Sequence, residues 1–229
     1  MNVTTKIEND IALITMDDGK ANVVNFEMMD ALHAALDEAE AKAKAIVITG
    51  REGRFSGGFD LKFLASADLE GARKLLDEAA KLLMRIYGGP LPSVAACNGH
   101  AIATGCFLLL SCDTRIGTKG DFKLGANETV NNMTMPVFAL ELLRARIHSN
   151  YQTRAIVQSE IYNPEGAVKA GYLDMVADAD AVLPQAMAIA GQLAMLPKGA
   201  YAYNKRALRQ NTIDIINASI GIQPNLASQ

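Results

Sequence analysis

Two stretches of this chain share one design: a short apolar run suited to a buried strand, then small residues, then a helix start. The first is AIVITGREGRFSGGFDLKFL, Ala45 to Leu64, and the second is SVAACNGHAIATGCFLLLSCD, Ser93 to Asp113. The first turn of a helix leaves its backbone N–H groups without intrahelical acceptors. Two such junctions aimed at one point would form an oxyanion hole, a pair of donors for an oxygen that gains charge during reaction. A nearby carboxylate would then move protons. Either junction alone also fits a plain tight turn. The pair in this order, with an acidic residue downstream, is what points to chemistry.

Other chemistries lack their residues. Neither the Gly-x-Gly-x-x-Gly loop nor the P-loop pattern occurs between a strand and a helix, and no Gly-x-Ser-x-Gly elbow is present. His33, His100 and His148 lie far apart, and none pairs with an acid at ligand spacing, so no metal site is expected. His100 differs from the others in sitting in a glycine-bearing turn after a buried strand. Cys97, Cys106 and Cys112 fall in or beside apolar runs. An odd number without a Cys-x-x-Cys pair reads as buried thiols in a reducing compartment.

The elements that must hold these junctions follow from periodicity. Val3–Glu8 and Ile11–Met16 alternate around Asn9-Asp10, a hairpin pattern. Asn25 caps a helix to about Ala43, with Phe26, Met29, Leu32 and Leu36 on one face. Ala45–Thr49 and Ser93–Cys97 read as strands buried on both faces, and Thr114–Gly117 as a third strand. Helices are expected at Leu69–Tyr87, Gly105–Ser111, Pro136 to about Arg146, Ser149–Gln158, Asn163–Gly171, Val182–Leu196 and Gly199–Ile220. Strands alternate with helices first, and helices dominate later. That order predicts an α/β core over residues 1–180, with residues 181–229 as a helical extension of the same domain.

The balance of the chain narrows its partners. Of 229 residues, 50% are hydrophobic and 21% charged, with a formal charge of -3, so one sizeable core is expected and a nucleic-acid groove has no source. No apolar run is long enough to cross a membrane, and the N-terminus alternates like a strand rather than a secretory signal. A cytoplasmic protein binding neither membrane nor nucleic acid is the expectation.

With these stretches in order, the sequence resembles the crotonase superfamily, the enoyl-CoA hydratase/isomerase family. The matching stretches are KANVVN (Lys20–Asn25), AIVITG (Ala45–Gly50), FSGGFDLK (Phe55–Lys62), PSVAACNGHAIATGC (Pro92–Cys106), CDTRIG (Cys112–Gly117), FKLGANE (Phe122–Glu128) and NPEGAVKAGYLDMV (Asn163–Val176). The resemblance implies a spiral of ββα units with a C-terminal helical trimerisation segment, assembled as a trimer or dimer of trimers. It implies an acyl-CoA substrate whose thioester enolate is stabilised, and no cofactor beyond that CoA. It places the two oxyanion donors at the backbone N–H groups of Phe59 and Thr104, and the proton-moving acid at Glu128. Lys20, Ala21, Ser56, Gly58, Phe59, Asp60, Leu61, Lys62, His100, Ala103 and Thr104 fall where the family holds CoA.

Two departures shape the expected reaction. Hydratases of this resemblance carry a second glutamate where this chain has Phe107, and the chain ends early. A lone Glu128 favours an isomerase-like reaction, unless an acid such as Glu141 replaces the missing group. Hydration, thioester hydrolysis and non-catalytic acyl-CoA binding stay open as alternatives. The polar stretch Thr129–Asn132 is a candidate for substrate discrimination.

Overall fold

The computed structural model of the chain describes residues 2–222, and residues 223–229 of the expected extension lie outside them. β1 (Val3–Glu8) and β2 (Ile11–Met16) form the expected hairpin, turned by Asn9 and Asp10 at φ +50° and +62°. Such a turn requires positive φ at both central residues, which Asn and Asp tolerate. β3 (Val23–Val24) leads to α1 (Phe26–Lys42), whose cap is the Asn25 side chain accepting the Met28 N–H at 2.9 Å.

From there the chain repeats one topological unit. β4 (Ala45–Thr49), β7 (Ser93–Cys97) and β9 (Thr114–Thr118) lie parallel in a large sheet of order β1-β2-β4-β7-β9-β11, with β11 at Met175–Ala177. After each comes a short strand in a second sheet: β5 (Gly53–Ser56), β8 (Gly99–Ile102) and β10 (Leu124–Gly125), in order β10-β8-β5. β6 (Gly58–Phe59) pairs with β3. The helices that follow are α2 (Leu61–Ser66) and α3 (Leu69–Tyr87), then α4 (Thr104–Ser111), then α5 (Val137–Arg146). This is the expected ββα spiral. It has no sequence period because the connections differ in length.

The strands are buried on both faces. In β4, Ala45 and Val47 face α7 (Ala179–Ala194), which contributes Val182, Ala186 and Ala190 to that layer. Ile46 and Ile48 face the larger core shared with the other helices. α8 (Lys198–Ser219) packs on α3 and α5. It is anchored by Asp113, which accepts from Lys205 Nζ at 2.9 Å, Arg209 Nη1 at 2.6 Å and the Tyr201 hydroxyl at 2.8 Å.

Two expectations need correction. Ser149–Gln158 is a turn followed by a π-helical turn over Thr153–Val157, not a regular helix. The Thr129 hydroxyl donates to the Ile156 carbonyl, and Ser159, at φ +52°, accepts the Val130 N–H, so this segment is shaped by the loop it supports. α7 starts three residues earlier than expected and carries Pro184 inside it. The strands β3, β6, β10 and β11 are too short to show a period. No single helix among the described residues is long and apolar enough to cross a membrane.

Candidate active site

The first junction is held by Asn22, fully buried at φ +51°. Its amide donates to the carbonyls of Met16, Arg54 and Phe55 at 3.0–3.2 Å, and its side-chain oxygen accepts the Asp18 N–H. Ser56 Oγ donates to the Asn22 carbonyl at 2.7 Å and accepts the Gly58 N–H. Asp60 caps α2 by accepting the Lys62 and Phe63 N–H groups. The strand-to-helix path through Phe59 is therefore set by side chains on either side of it.

The second junction is held against the first. Asn98 donates to the Gly50 carbonyl at 2.7 Å, and a Cβ on Gly99 would overlap the Gly53 backbone at 2.0 Å. Ala103 lies at φ 51°, ψ -124°, a region natural to glycine, and its N–H donates to the Gly125 carbonyl at 3.0 Å. Strain of roughly 1–3 kcal/mol is typical of such a residue and concentrates at functional sites. Thr104 opens α4, and the first N–H acceptances inside that helix run from Cys106 and Phe107 to Ala103. A Cβ on Gly105 would meet the Ser56 carbonyl at 2.3 Å. The Gly105 contact locks the start of α4 onto Ser56, and the Gly99 contact locks β8 onto β5.

β10 delivers the acid. Leu124 and Gly125 pair with Ala101 and Ile102 of β8, so Glu128 follows three residues beyond the strand that neighbours the α4 start. Glu128 precedes a one-turn 3-10 helix, Thr129–Asn131, and is 6% exposed. Its Oε2 has no hydrogen-bond partner. Burial pushes its pKa up to about 7, against the pull of the Glu128 and Asn127 backbone N–H groups. A carboxyl with that value can accept and return a proton near neutrality.

Two backbone junctions interlocked at their helix starts, with a buried carboxyl beside them, match a known sequence pattern. The enoyl-CoA hydratase/isomerase family profile fits residues 6–226. The chain belongs to the enoyl-CoA hydratase/isomerase family. Its relatives within the family include a 2,3-dehydroadipyl-CoA hydratase of Escherichia coli, 26% identical over 91% of this chain and 77% of the relative. They also include the mitochondrial enoyl-CoA delta isomerase 1 of Homo sapiens, 27% identical over 88% of this chain and 68% of the relative. The solved structure of an enoyl-CoA isomerase of Mycobacterium tuberculosis is 36% identical, covers 96% of each chain and superposes with a TM-score of 0.92. This family member is thus an enzyme of the hydratase/isomerase type, with a crotonase fold.

Within this family frame, the sequence-predicted residues divide. Phe59, Thr104, Ser56, Gly58 and Ala103 are brought together by the contacts above. Ala21 joins them through its carbonyl, which accepts the Gly57 N–H at 2.8 Å. Leu61 is 71% exposed, its neighbour Lys62 is exposed, and so is Lys20 in the segment before β3. His100 is held differently: its Nδ1 accepts the Lys123 N–H at 3.0 Å and its ring meets Phe122 edge-on at 5.3 Å. Burial, then Arg54 and Lys123, lower its pKa. Phe107 is 1% exposed and packs edge-on to Phe138 at 6.0 Å, inside the core. Glu141 pairs with Arg144 at 2.6 Å on α5.

Sequence reasoning missed Tyr172, fully buried near Glu128, and the unpartnered hydroxyl of Thr104. Nothing in periodicity separates a tyrosine with a job from one that only fills space. It also quoted Asp113 only as part of a motif, although three side chains on α8 converge on it.

Proposed function

We propose that this enzyme shifts the double bond of enoyl-CoA thioesters, with Glu128 as the proton carrier. The observation that carries this reading is a single buried carboxyl near neutrality beside the two junctions, while the position of a second acid holds Phe107, packed into the core on Phe138. Hydration needs water activated at one carbon and a proton delivered to another. Isomerisation needs one group only. Glu128 removes a proton from C2 of a 3-enoyl thioester, electron density moves into the thioester oxygen, and the same proton returns to C4 to give the 2-enoyl product.

In this reading the thioester oxygen lies between the N–H groups of Phe59 and Thr104. Loss of one such donor in a serine protease slows catalysis by roughly 10²–10³, so backbone placement outweighs either side chain. Lys20 and Lys62 are read as partners of the nucleotide phosphates, and Ala21, Ser56, Gly58, Asp60, Leu61, His100 and Ala103 as the surround of the CoA. The reaction uses no group beyond the CoA of the substrate. Assembly as a trimer or dimer of trimers is read from the exposed Met195, Tyr203 and Leu208 around the α7–α8 bend and along α8; light scattering that gives a monomer at micromolar concentration sinks it.

The deciding experiment is mass spectrometry and ultraviolet detection of products from a panel of 3-enoyl- and 2-enoyl-CoA thioesters. Conversion of 3-enoyl to 2-enoyl, abolished in Glu128→Gln, supports the reading. A 3-hydroxyacyl-CoA as main product makes the enzyme a hydratase, and free CoA makes it a thioester hydrolase. Binding without conversion makes it an acyl-CoA-binding member.

A further inference from the structure

Behind Glu128 stands a buried hydroxyl that the proposed proton transfer does not use. Gly171, at φ +101°, ends α6 (Pro164–Ala170), and the next residue is Tyr172. Tyr172 is 0% exposed. Its ring lies 5.6 Å from that of Tyr162. Tyr162 in turn exchanges two backbone hydrogen bonds of 2.9 Å with Leu124, the first residue of β10. Tyr172 is thereby packed onto the segment that ends in Glu128. Its hydroxyl oxygen faces the Ala126 N–H, and the group interacts electrostatically with Cys106 and Glu128.

Neither the Tyr172 hydroxyl nor Glu128 Oε2 has a hydrogen-bond partner. One is a donor lacking an acceptor, and the other an acceptor lacking a donor. Buried polar atoms are satisfied in the great majority of cases, by protein or by internal water. The two atoms do not bond directly, and a single water with both as partners would satisfy them together.

We propose that Tyr172 is a positioning residue for Glu128: through one internal water its hydroxyl donates toward Oε2 and holds the carboxyl in its proton-accepting state. This rests on Glu128 being the proton carrier. A donor to the ionised form lowers a carboxyl's pKa, so Tyr172 offsets part of the effect of burial. The Cys106 thiol and the Tyr172 hydroxyl do not titrate near neutrality. Burial raises the Cys106 thiol from α4 well above its ordinary value, with Cys97 of β7 adding to the rise and Arg115 of β9 opposing it. Tyr172 is likewise raised, by burial first. Glu160 is engaged by the Tyr162 hydroxyl at 2.6 Å and by Arg154. Among the described residues no ion pair includes Glu128.

Tyr172→Phe keeps the ring and removes only the donor. The readout is the ionisation of Glu128 in the substrate-free protein, followed by isotope-edited infrared absorption of its carboxylate with Glu128→Gln as the blank. Tyr172→Phe is expected to titrate roughly one unit above the wild type. The acid limb of the pH–rate profile on a 3-enoyl-CoA should move by the same amount, while the rate at high pH stays near that of the wild type. A merely structural role predicts a lower melting temperature with an unmoved midpoint, and that result overturns the proposal. A second variant decides if Tyr172→Phe does not fold: 3-fluorotyrosine placed at position 172 is a stronger donor, so the midpoint should fall, and an unchanged midpoint overturns the proposal. Full activity in Glu128→Gln would sink the isomerase mechanism instead, and leaves the infrared result to judge Tyr172 separately.

Discussion

Gly58 and Thr104 meet across the two junctions: a Cβ built on Gly58 stands 3.3 Å from the Thr104 nitrogen and 2.9 Å from the Ile102 carbonyl oxygen. Gly58 also sits at φ +89°, where L side chains are strained. Gly58→Ala must therefore push apart the two backbones whose N–H groups are proposed to share one oxygen. Two of its neighbours are main chain and the third is the Ala103 Cβ at 3.0 Å, so none can rotate away. We expect a folded protein with a loss of about 10²-fold or more in kcat/KM, since misplacement by an ångström is enough for that. Circular dichroism with steady-state kinetics checks it. Activity within threefold of wild type shows that the junctions need not touch for turnover.

Glu128 links activity to stability with opposite signs. Its carboxyl is raised from 4.5 to about 7 by burial. A carboxyl with a raised folded-state pKa binds a proton that the unfolded chain has already lost between those two values. Its charge therefore destabilises the fold progressively as pH rises from about 4.5 to about 7, and fully above that. The difference of the two values corresponds to on the order of 3 kcal/mol. Glu128→Gln should melt higher than wild type at pH 8, with little difference at pH 4.5, while turnover falls by orders of magnitude. In the wild type, the rate should climb with pH through about 7. A melting temperature that is insensitive to this substitution at pH 8 contradicts the buried, neutral carboxyl.

Legibility in the sequence followed the length of the signal. β4 and β7 are continuous apolar runs, and α3 is amphipathic over five turns, so their bounds emerged residue by residue. Asn25, Asn163 and Gly171 carried cap signals that the structure uses as read. The pairings that bring the site together were illegible. β8 and β10 have four and two residues, and what aligns them is the Ala103 N–H on the Gly125 carbonyl, a contact between residues whose types say nothing about it. The order of the motifs supplied what periodicity lacked. Phe107 was readable as a missing acid, but its partner Phe138 comes from another helix 31 positions on, and only the fold reveals that the ring fills core.

Asp113 is the fixed point of α8. Besides its three contacts to that helix, it accepts the Ser93 N–H at 2.9 Å. Burial opposes its charge, but Lys205 and Arg209 hold its pKa below the ordinary value. Burial also lowers Lys205, with Asp113 resisting. Removing one member of such a set leaves buried cations uncompensated, which typically costs about 3–5 kcal/mol. Asp113→Asn should lose that much in urea unfolding at pH 7. A lowered carboxyl stabilises above its unfolded pKa and loses that contribution as pH falls through the folded one. The gap between variant and wild type should therefore close below pH 4. Equal midpoints at pH 7 would show that α8 is held by Ile213 and Ile216 alone.

Lys20 and Lys62 are exposed, so their contribution to CoA binding is screened charge rather than buried contact. Affinity for free CoA should fall as salt rises from 50 to 500 mM (roughly the range in which the Debye length shrinks from above 10 Å to a few ångströms). Lys62→Ala should weaken binding and flatten that slope with little change in kcat. Asp60→Ala is the control for the loop itself, because Asp60 caps α2 through the Lys62 and Phe63 N–H groups. Salt-independent binding in the wild type rules out phosphate contact by these lysines.

Phe107 invites the reverse experiment, installing the second acid. The position is 1% exposed, and its ring is edge-on to Phe138 at 6.0 Å. A glutamate there exchanges an aromatic contact for a carboxyl inside the apolar core. Desolvation then forces it to stay neutral or unfold the site. We expect Phe107→Glu to lose about 3 kcal/mol or more, to worsen as pH rises, and to gain no hydration of 2-enoyl-CoA. Phe107→Leu, which keeps the site apolar, should lose about 1 kcal/mol and keep isomerisation within threefold. The pair of variants separates the two explanations for a missing acid. If Phe107→Glu folds as well as Phe107→Leu and produces 3-hydroxyacyl-CoA, then the position faces substrate and only the side chain was lacking; if it destabilises and stays silent, the helix has been repacked around Phe138 and one residue cannot restore a hydratase.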